Sequence, residues 1–250
     1  MFLVPINRDR RSPQTPWVTY GLIAINSLLW IVPAFLGINQ RLIFTYGYRP
    51  AAPSLLTLFA SMFLHIGLLH VAGNMWFLWM FAPKLEARLG SFLFLFMYLL
   101  SGVGGAGLHT LLSSSSMLPC VGASGAISGI VGMYFVLYPR SPFELVFYFG
   151  FWLRKSFASQ TRGAVGAWLA VQLLLGLISK AAGVNGGVAF WAHVGGFLTG
   201  VLCAGAELLT ANADEVRSVI RPAPLTAEEK EEMLADTVEK SSGLTTLKLN

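Results

Sequence analysis

One serine, two histidines and an asparagine stand out in this chain because each lies inside an apolar run. Ser124 falls in Gly122-Ala123-Ser124-Gly125, and His193 falls in Ala192-His193-Val194-Gly195-Gly196. His70 and Asn74 stand four residues apart in a third run. Ionisable groups at membrane depth are costly and mark functional sites. A serine hydroxyl becomes a nucleophile once a base takes its proton, and imidazole, titrating near neutrality, suits that role. Acyl transfer also needs donors for the developing oxyanion. His70 and Asn74, at i and i+4, share one helix face and can supply two. The Ser124 N–H can supply another, since it lies near a helix start where backbone N–H groups lack intrahelical partners and the dipole is positive. These residue types suggest covalent hydrolysis below a membrane surface.

A carboxylate usually orients such a histidine. This chain has no Asp between Asp9 and Asp214, and the acidic residues among the apolar runs are Glu86, Glu144 and Glu207. All three fall at inner ends or in inner loops, away from the serine. A Ser124–His193 dyad is therefore expected, with packing alone orienting the imidazole. Cys120 lies near Ser124 but outside the Gly-x-Ser-Gly turn, and it reads with Cys203 as a small packed side chain. Ser27, Ser101 and Ser128 read as hydroxyls bonded within their own helices, and His65 and His109 as structural hydrogen-bonders. The chain holds four His and two Cys, with no His-x-x-x-His or clustered Cys set. No metal and no cofactor are expected.

The elements that must position these groups are membrane helices. Of the 250 residues 55% are hydrophobic and only 12% charged, against about 25% charged in a soluble domain. The expected fold is all-α, a polytopic bundle of six spans. They run from about Trp17 to Ile38, Ile66 to Ala82, Phe92 to Leu112, Val121 to Tyr138, Ala164 to Ala181 and Val188 to Leu209. Phe143 to Leu153 is too short to span and reads as interfacial or re-entrant. The net charge of +5 is no sign of nucleic-acid binding. Its basic residues sit in short loops, where they set orientation. With the N-terminus inside, inner segments hold Arg8, Arg10, Arg11, Lys84, Arg88, Arg140, Arg154, Lys155 and Arg162. Outer loops hold Arg41, Arg49 and Lys180. Both termini are expected in the cytoplasm. Residues 1–16 form a cytoplasmic N-terminal segment, 17–209 the membrane domain and 210–250 a polar cytoplasmic tail. In that tail, Thr226 and Glu229 read as a capping box opening a short helix.

That topology puts the chemistry at one depth. Spans two, four and six run inward, and at about 1.5 Å per residue Ser124, His193, His70 and Asn74 all fall in the outer third. Gly125-x-x-x-Gly129 and Gly196-x-x-x-Gly200 allow spans four and six to approach closely, which a Ser124–His193 hydrogen bond requires.

Taken together, these residues resemble the rhomboid family of intramembrane serine proteases over roughly Leu42 to Leu209. Gly122-Ala123-Ser124-Gly125 resembles the nucleophile motif, and Ala192 to Gly200 the base-bearing helix. His65-Ile66-Gly67-Leu68-Leu69-His70-Val71-Ala72-Gly73-Asn74 resembles the second helix, with His70 and Asn74 at the oxyanion positions. Glu86 and Gly90 match the turn that follows. Three departures stand out. Tyr48-Arg49-Pro50 stands where many members carry Trp-Arg, Ser128 where some carry Tyr, and Phe81-Ala82-Pro83 where a glycine is common. The resemblance implies an active endopeptidase that cleaves single-span membrane proteins in the bilayer, with span five and the first outer loop as candidate gates. A catalytically inactive relative that escorts membrane helices is the alternative. A transporter would need polar groups along a full crossing, and here they stop in the outer third. Short loops and the lack of a transit peptide favour a bacterial plasma membrane. The substrate and the oligomeric state are not written in the chain.

Overall fold

The computed structural model describes residues 2–7, 14–149, 153–183 and 188–211. The capping box at Thr226 and Glu229 lies outside them. Strand β1 (Phe2–Asn7) precedes α1 (Trp17–Phe35). Two short helices, α2 (Asn39–Tyr46) and α3 (Leu55–Ser61), lead to α4 (Leu68–Leu89), α5 (Ser91–Leu112) and α6 (Ser124–Leu137). A hairpin of β2 (Pro142–Phe149) and β3 (Leu153–Gln160) then leads to α7 (Thr161–Ala181) and α8 (Phe190–Thr210). Among the described residues, four helices, α1, α5, α7 and α8, are long and apolar enough to cross a membrane.

The sheet corrects the all-α expectation. β1, β2 and β3 form an antiparallel sheet in that order, with Leu3 opposite Phe147 and Phe147 opposite Lys155. The stretch expected to be interfacial or re-entrant is β2 with the start of β3. Its run of aromatic and other apolar residues suits a strand, and β1 supplies the partner that pairs with it. At the base of the hairpin, Phe143 is buried and stacks on Phe81 of α4, with ring centroids 5.7 Å apart.

The helix starts are held by side chains from other elements. α1 begins after Pro16 with no side-chain cap of its own. Glu86 of α4 supplies one. Its carboxylate accepts from Val18 N–H at 2.9 Å, Thr19 N–H at 2.8 Å and Thr19 Oγ1 at 2.7 Å. Ser91 Oγ, at the start of α5, also donates to it at 2.8 Å. A carboxylate at a helix N-terminus satisfies orphan N–H groups and complements the dipole. Here it joins α1, α4 and α5. Nearby, Arg88 pairs with Glu207 of α8 at 2.8 Å.

Helix α6 is the axis of the body. It has only 14 residues, about 21 Å at 1.5 Å rise, too short to cross a hydrocarbon core of about 30 Å. Every residue from Ala126 to Tyr134 is buried, as expected of a helix that is hydrophobic all round. It packs on α8 through small residues. A Cβ at Gly196 would collide with the Gly125 carbonyl, and one at Gly200 with the Gly129 carbonyl. The two glycine pairs read from the sequence therefore face each other. Lipid gives helices little hydrophobic reason to associate, so close van der Waals packing must hold them.

Candidate active site

Helix α6 starts at Ser124, so its N–H sits in the first turn, where intrahelical acceptors are lacking. The sequence expected Ser124 about three residues into its span. The helix begins later because Gly122 adopts φ +127, a conformation that favours glycine. A Cβ at Gly122 would also lie 2.8 Å from His70 Cε1. Bare backbone therefore separates the serine from that histidine. The Gly196 and Gly200 contacts bring α8 against α6, and His193 Nε2 lies 2.8 Å from Ser124 Oγ. That distance permits direct proton transfer.

The other ring nitrogen has a partner that sequence reasoning missed. His193 Nδ1 lies 2.7 Å from Oε1 of Gln172, which is buried on α7. Trp168, one turn earlier on α7, sets its ring at 33° to the imidazole with centroids 6.3 Å apart. The expectation that packing alone orients His193 is corrected: a side-chain hydrogen bond takes part. An amide oxygen, like a carboxylate, is an acceptor and can orient the ring. A signal was present, because Gln172 is the sole polar side chain between Trp168 and Leu177.

His70 and Asn74 both line the same cavity as Ser124 and His193. Asn74 is buried and its Nδ2 has no hydrogen-bond partner. A buried unpartnered donor costs stability and is what an oxyanion site needs before substrate arrives. The cavity measures about 830 Å³ and is also bordered by Met62, Phe77, Trp168 and Trp191. Extended chain is tolerated at membrane depth where it lines such a cavity. Its outer wall is tied down by Tyr48, whose backbone exchanges hydrogen bonds with Cys120 at 2.9 and 2.7 Å. Gly122 N–H donates to the Ser61 carbonyl at 2.9 Å, anchoring the nucleophile turn to the end of α3.

Two other residues are set apart by their surroundings. Burial pushes the Cys120 thiol up to about 11, so it is a neutral thiol and not a competing nucleophile. His65 is fully buried against His70, with ring centroids 5.1 Å apart, and neither of its ring nitrogens has a hydrogen-bond partner. Its ring packs edge-on against that of His70. Among the described residues, no three His, Cys, Asp or Glu side chains gather into a metal site.

The sequence model of the Rhomboid domain matches residues 52–208. The chain belongs to the rhomboid family. Rhomboid protein 1, mitochondrial, of Saccharomyces cerevisiae is 28% identical over 195 residues, 74% of this chain and 51% of that protein. RHOMBOID-like protein 6, mitochondrial, of Arabidopsis thaliana is 33% identical over 152 residues, 61% of this chain and 43% of that protein. YdcA of Bacillus subtilis, provisionally named a rhomboid protease, is 34% identical over 123 residues, 48% of this chain and 61% of that protein. The chain thus spans between about two fifths and three fifths of these relatives' lengths.

The departures noted in this rhomboid chain now have physical descriptions. Ser128 Oγ donates to the Ser124 carbonyl at 2.6 Å, back into its own helix. Ser101 does the same to Met97 at 2.7 Å. Trp168 and Gln172 of α7 flank His193 instead. In the loop after α2, Arg49 donates to the Phe44 carbonyl and lies 5.0 Å over the Phe44 ring. Tyr48 reaches Thr110 of α5 through its hydroxyl at 2.7 Å.

Proposed function

We propose that this integral membrane protein is an intramembrane serine endopeptidase. The observation that carries the reading is the 2.8 Å contact between Ser124 Oγ and His193 Nε2. It lies in a cavity that Asn74 and His70 also border. In the proposed reaction His193 takes the Ser124 proton as Oγ attacks the scissile carbonyl carbon. The carbonyl π electrons move to oxygen, and the oxyanion is met by the Ser124 N–H, the Asn74 amide and the His70 ring. On collapse the C–N bond breaks, and His193 gives its proton to the leaving amine. A water, deprotonated by His193, then hydrolyses the acyl-enzyme and restores Ser124.

The substrates proposed are single-span membrane proteins whose helices unwind near the outer surface. The body is read as six spans, with α4 and the short α6 added to the four helices that are both long and apolar enough to cross. Both termini are placed in the cytoplasm, in a bacterial plasma membrane. The charge distribution of the loops supports the orientation, and their shortness supports the host membrane. No cofactor is invoked.

The test is cleavage of a transmembrane reporter in proteoliposomes. Wild type is expected to produce a cut within or beside the reporter's span, and Ser124→Ala none. Equal cleavage by both would refute the assignment. A folded wild type that binds the reporter without cutting it would favour the inactive relative.

A further inference from the structure

Helix α7 is the least buried of the four candidate spans, with 17% of its apolar window buried against 44% for α8. Its buried residues, Thr161, Val165, Gln172 and Gly176, form one narrow stripe at helical spacing. An amide buried on such a stripe costs stability unless it is hydrogen-bonded. Gln172 is bonded, and its partner is the base of the proposed reaction.

We propose that Gln172 is a positioning residue that sets His193 in the one neutral tautomer able to take the Ser124 proton. This rests on the serine-hydrolase reading of the same site. Gln172 Oε1 can only accept, so Nδ1 of the neutral ring must carry the hydrogen. Nε2 is then unprotonated, and it is the nitrogen 2.8 Å from Ser124 Oγ. The opposite tautomer would present an N–H to the serine and could not act as base. When the serine proton arrives, the Nδ1–H donates to Gln172 from a charged ring. Such charge-assisted bonds are shorter and stronger than neutral ones. The contact therefore strengthens as the reaction proceeds, which is the kind of interaction that raises turnover.

Two neighbours keep Gln172 in reach. Trp168, four residues earlier on the same face, limits the tilt of the imidazole. Gly176, four residues later, admits Trp191 and Phe190 of α8, which would lie 3.2 and 3.3 Å from a Cβ placed there. The base is thus oriented from a helix other than its own, and displacing α7 would disarm it.

The test pairs kinetics with histidine-selective 15N NMR of the full chain in detergent micelles. Gln172→Met removes the acceptor at similar size. Gln172→Glu keeps an acceptor. In wild type the His193 signals should report protonated Nδ1 and unprotonated Nε2. In Gln172→Met the population should move toward Nε2–H, with kcat down about 10- to 100-fold, less than the roughly 10,000-fold for a triad carboxylate. KM should change less than about two-fold, since the lost bond acts on the chemical step. Gln172→Glu should restore most of kcat. Wild-type kcat in Gln172→Met, or a His193 spectrum unchanged by it, would overturn the proposal. The spectrum reads the hydrogen bond even in a chain that cleaves nothing. An inactive wild type with Nδ1–H would therefore refute the hydrolase reading and spare the bond. An active wild type resting as Nε2–H would do the reverse.

Discussion

Asn74 is held ready by its environment. Its amide is buried and unpartnered, and in the proposed mechanism the oxyanion is its partner. Asn74→Ala is expected to lower kcat about 100- to 1,000-fold, the loss typical of one oxyanion donor, with little change in substrate binding. Steady-state cleavage of a transmembrane reporter checks this. Cys120 makes the opposite case. With its thiol pushed up to about 11, the thiolate is scarce at pH 7 and increases only as pH rises. Maleimide labelling should be slow at neutral pH and accelerate toward pH 10, and Cys120→Ser should retain cleavage. At this scale the candidate groups are legible in the sequence because serine, histidine and asparagine are conspicuous in apolar runs. Gln172 is not, because one mid-span amide resembles an ordinary structural hydrogen-bonder until the fold brings its oxygen to His193 Nδ1.

Elements place these groups through a few contacts with little tolerance. Gly200 touches the Gly129 backbone, so Gly200→Leu should force α8 off α6 and separate Ser124 from His193. A loss of about 3 kcal/mol in stability, the upper range for overpacking, should appear as a lower Tm in detergent, together with lost cleavage. Glu86 accepts from Val18, Thr19 and Ser91. Glu86→Ala should cost about 3 kcal/mol, in the range for hydrogen bonds to a charged group, and loosen α1 while leaving Ser124 chemistry intact. Thermal unfolding alongside activity in the surviving folded fraction separates the two effects. Glycine pairing was readable from spacing alone. The length of α6 was not, because hydropathy cannot show that Gly122 turns the chain and delays the helix to Ser124. Nor was the sheet, since β2 in isolation is a short apolar run that several structures fit, and its partner β1 lies far away in sequence.

At the scale of the whole molecule, the proposed activity poses a problem specific to lipid, which is how to bring water and a nucleophile to a buried peptide bond. The central helix, only 14 residues long, starts at Ser124, and the segment leading into it lines a cavity of about 830 Å³. Small residues on α6 and α8 close the inner part. Helix α7, packed by a narrow stripe, borders the site and carries Gln172. The claim at the centre is that Ser124 is activated by His193. A fluorophosphonate probe, which reacts with activated serines, tests it without knowledge of the substrate. Mass spectrometry of the full chain in detergent should locate one adduct at Ser124 in wild type and none in His193→Ala. An adduct elsewhere, or equal labelling of Ser124 in His193→Ala, would contradict it.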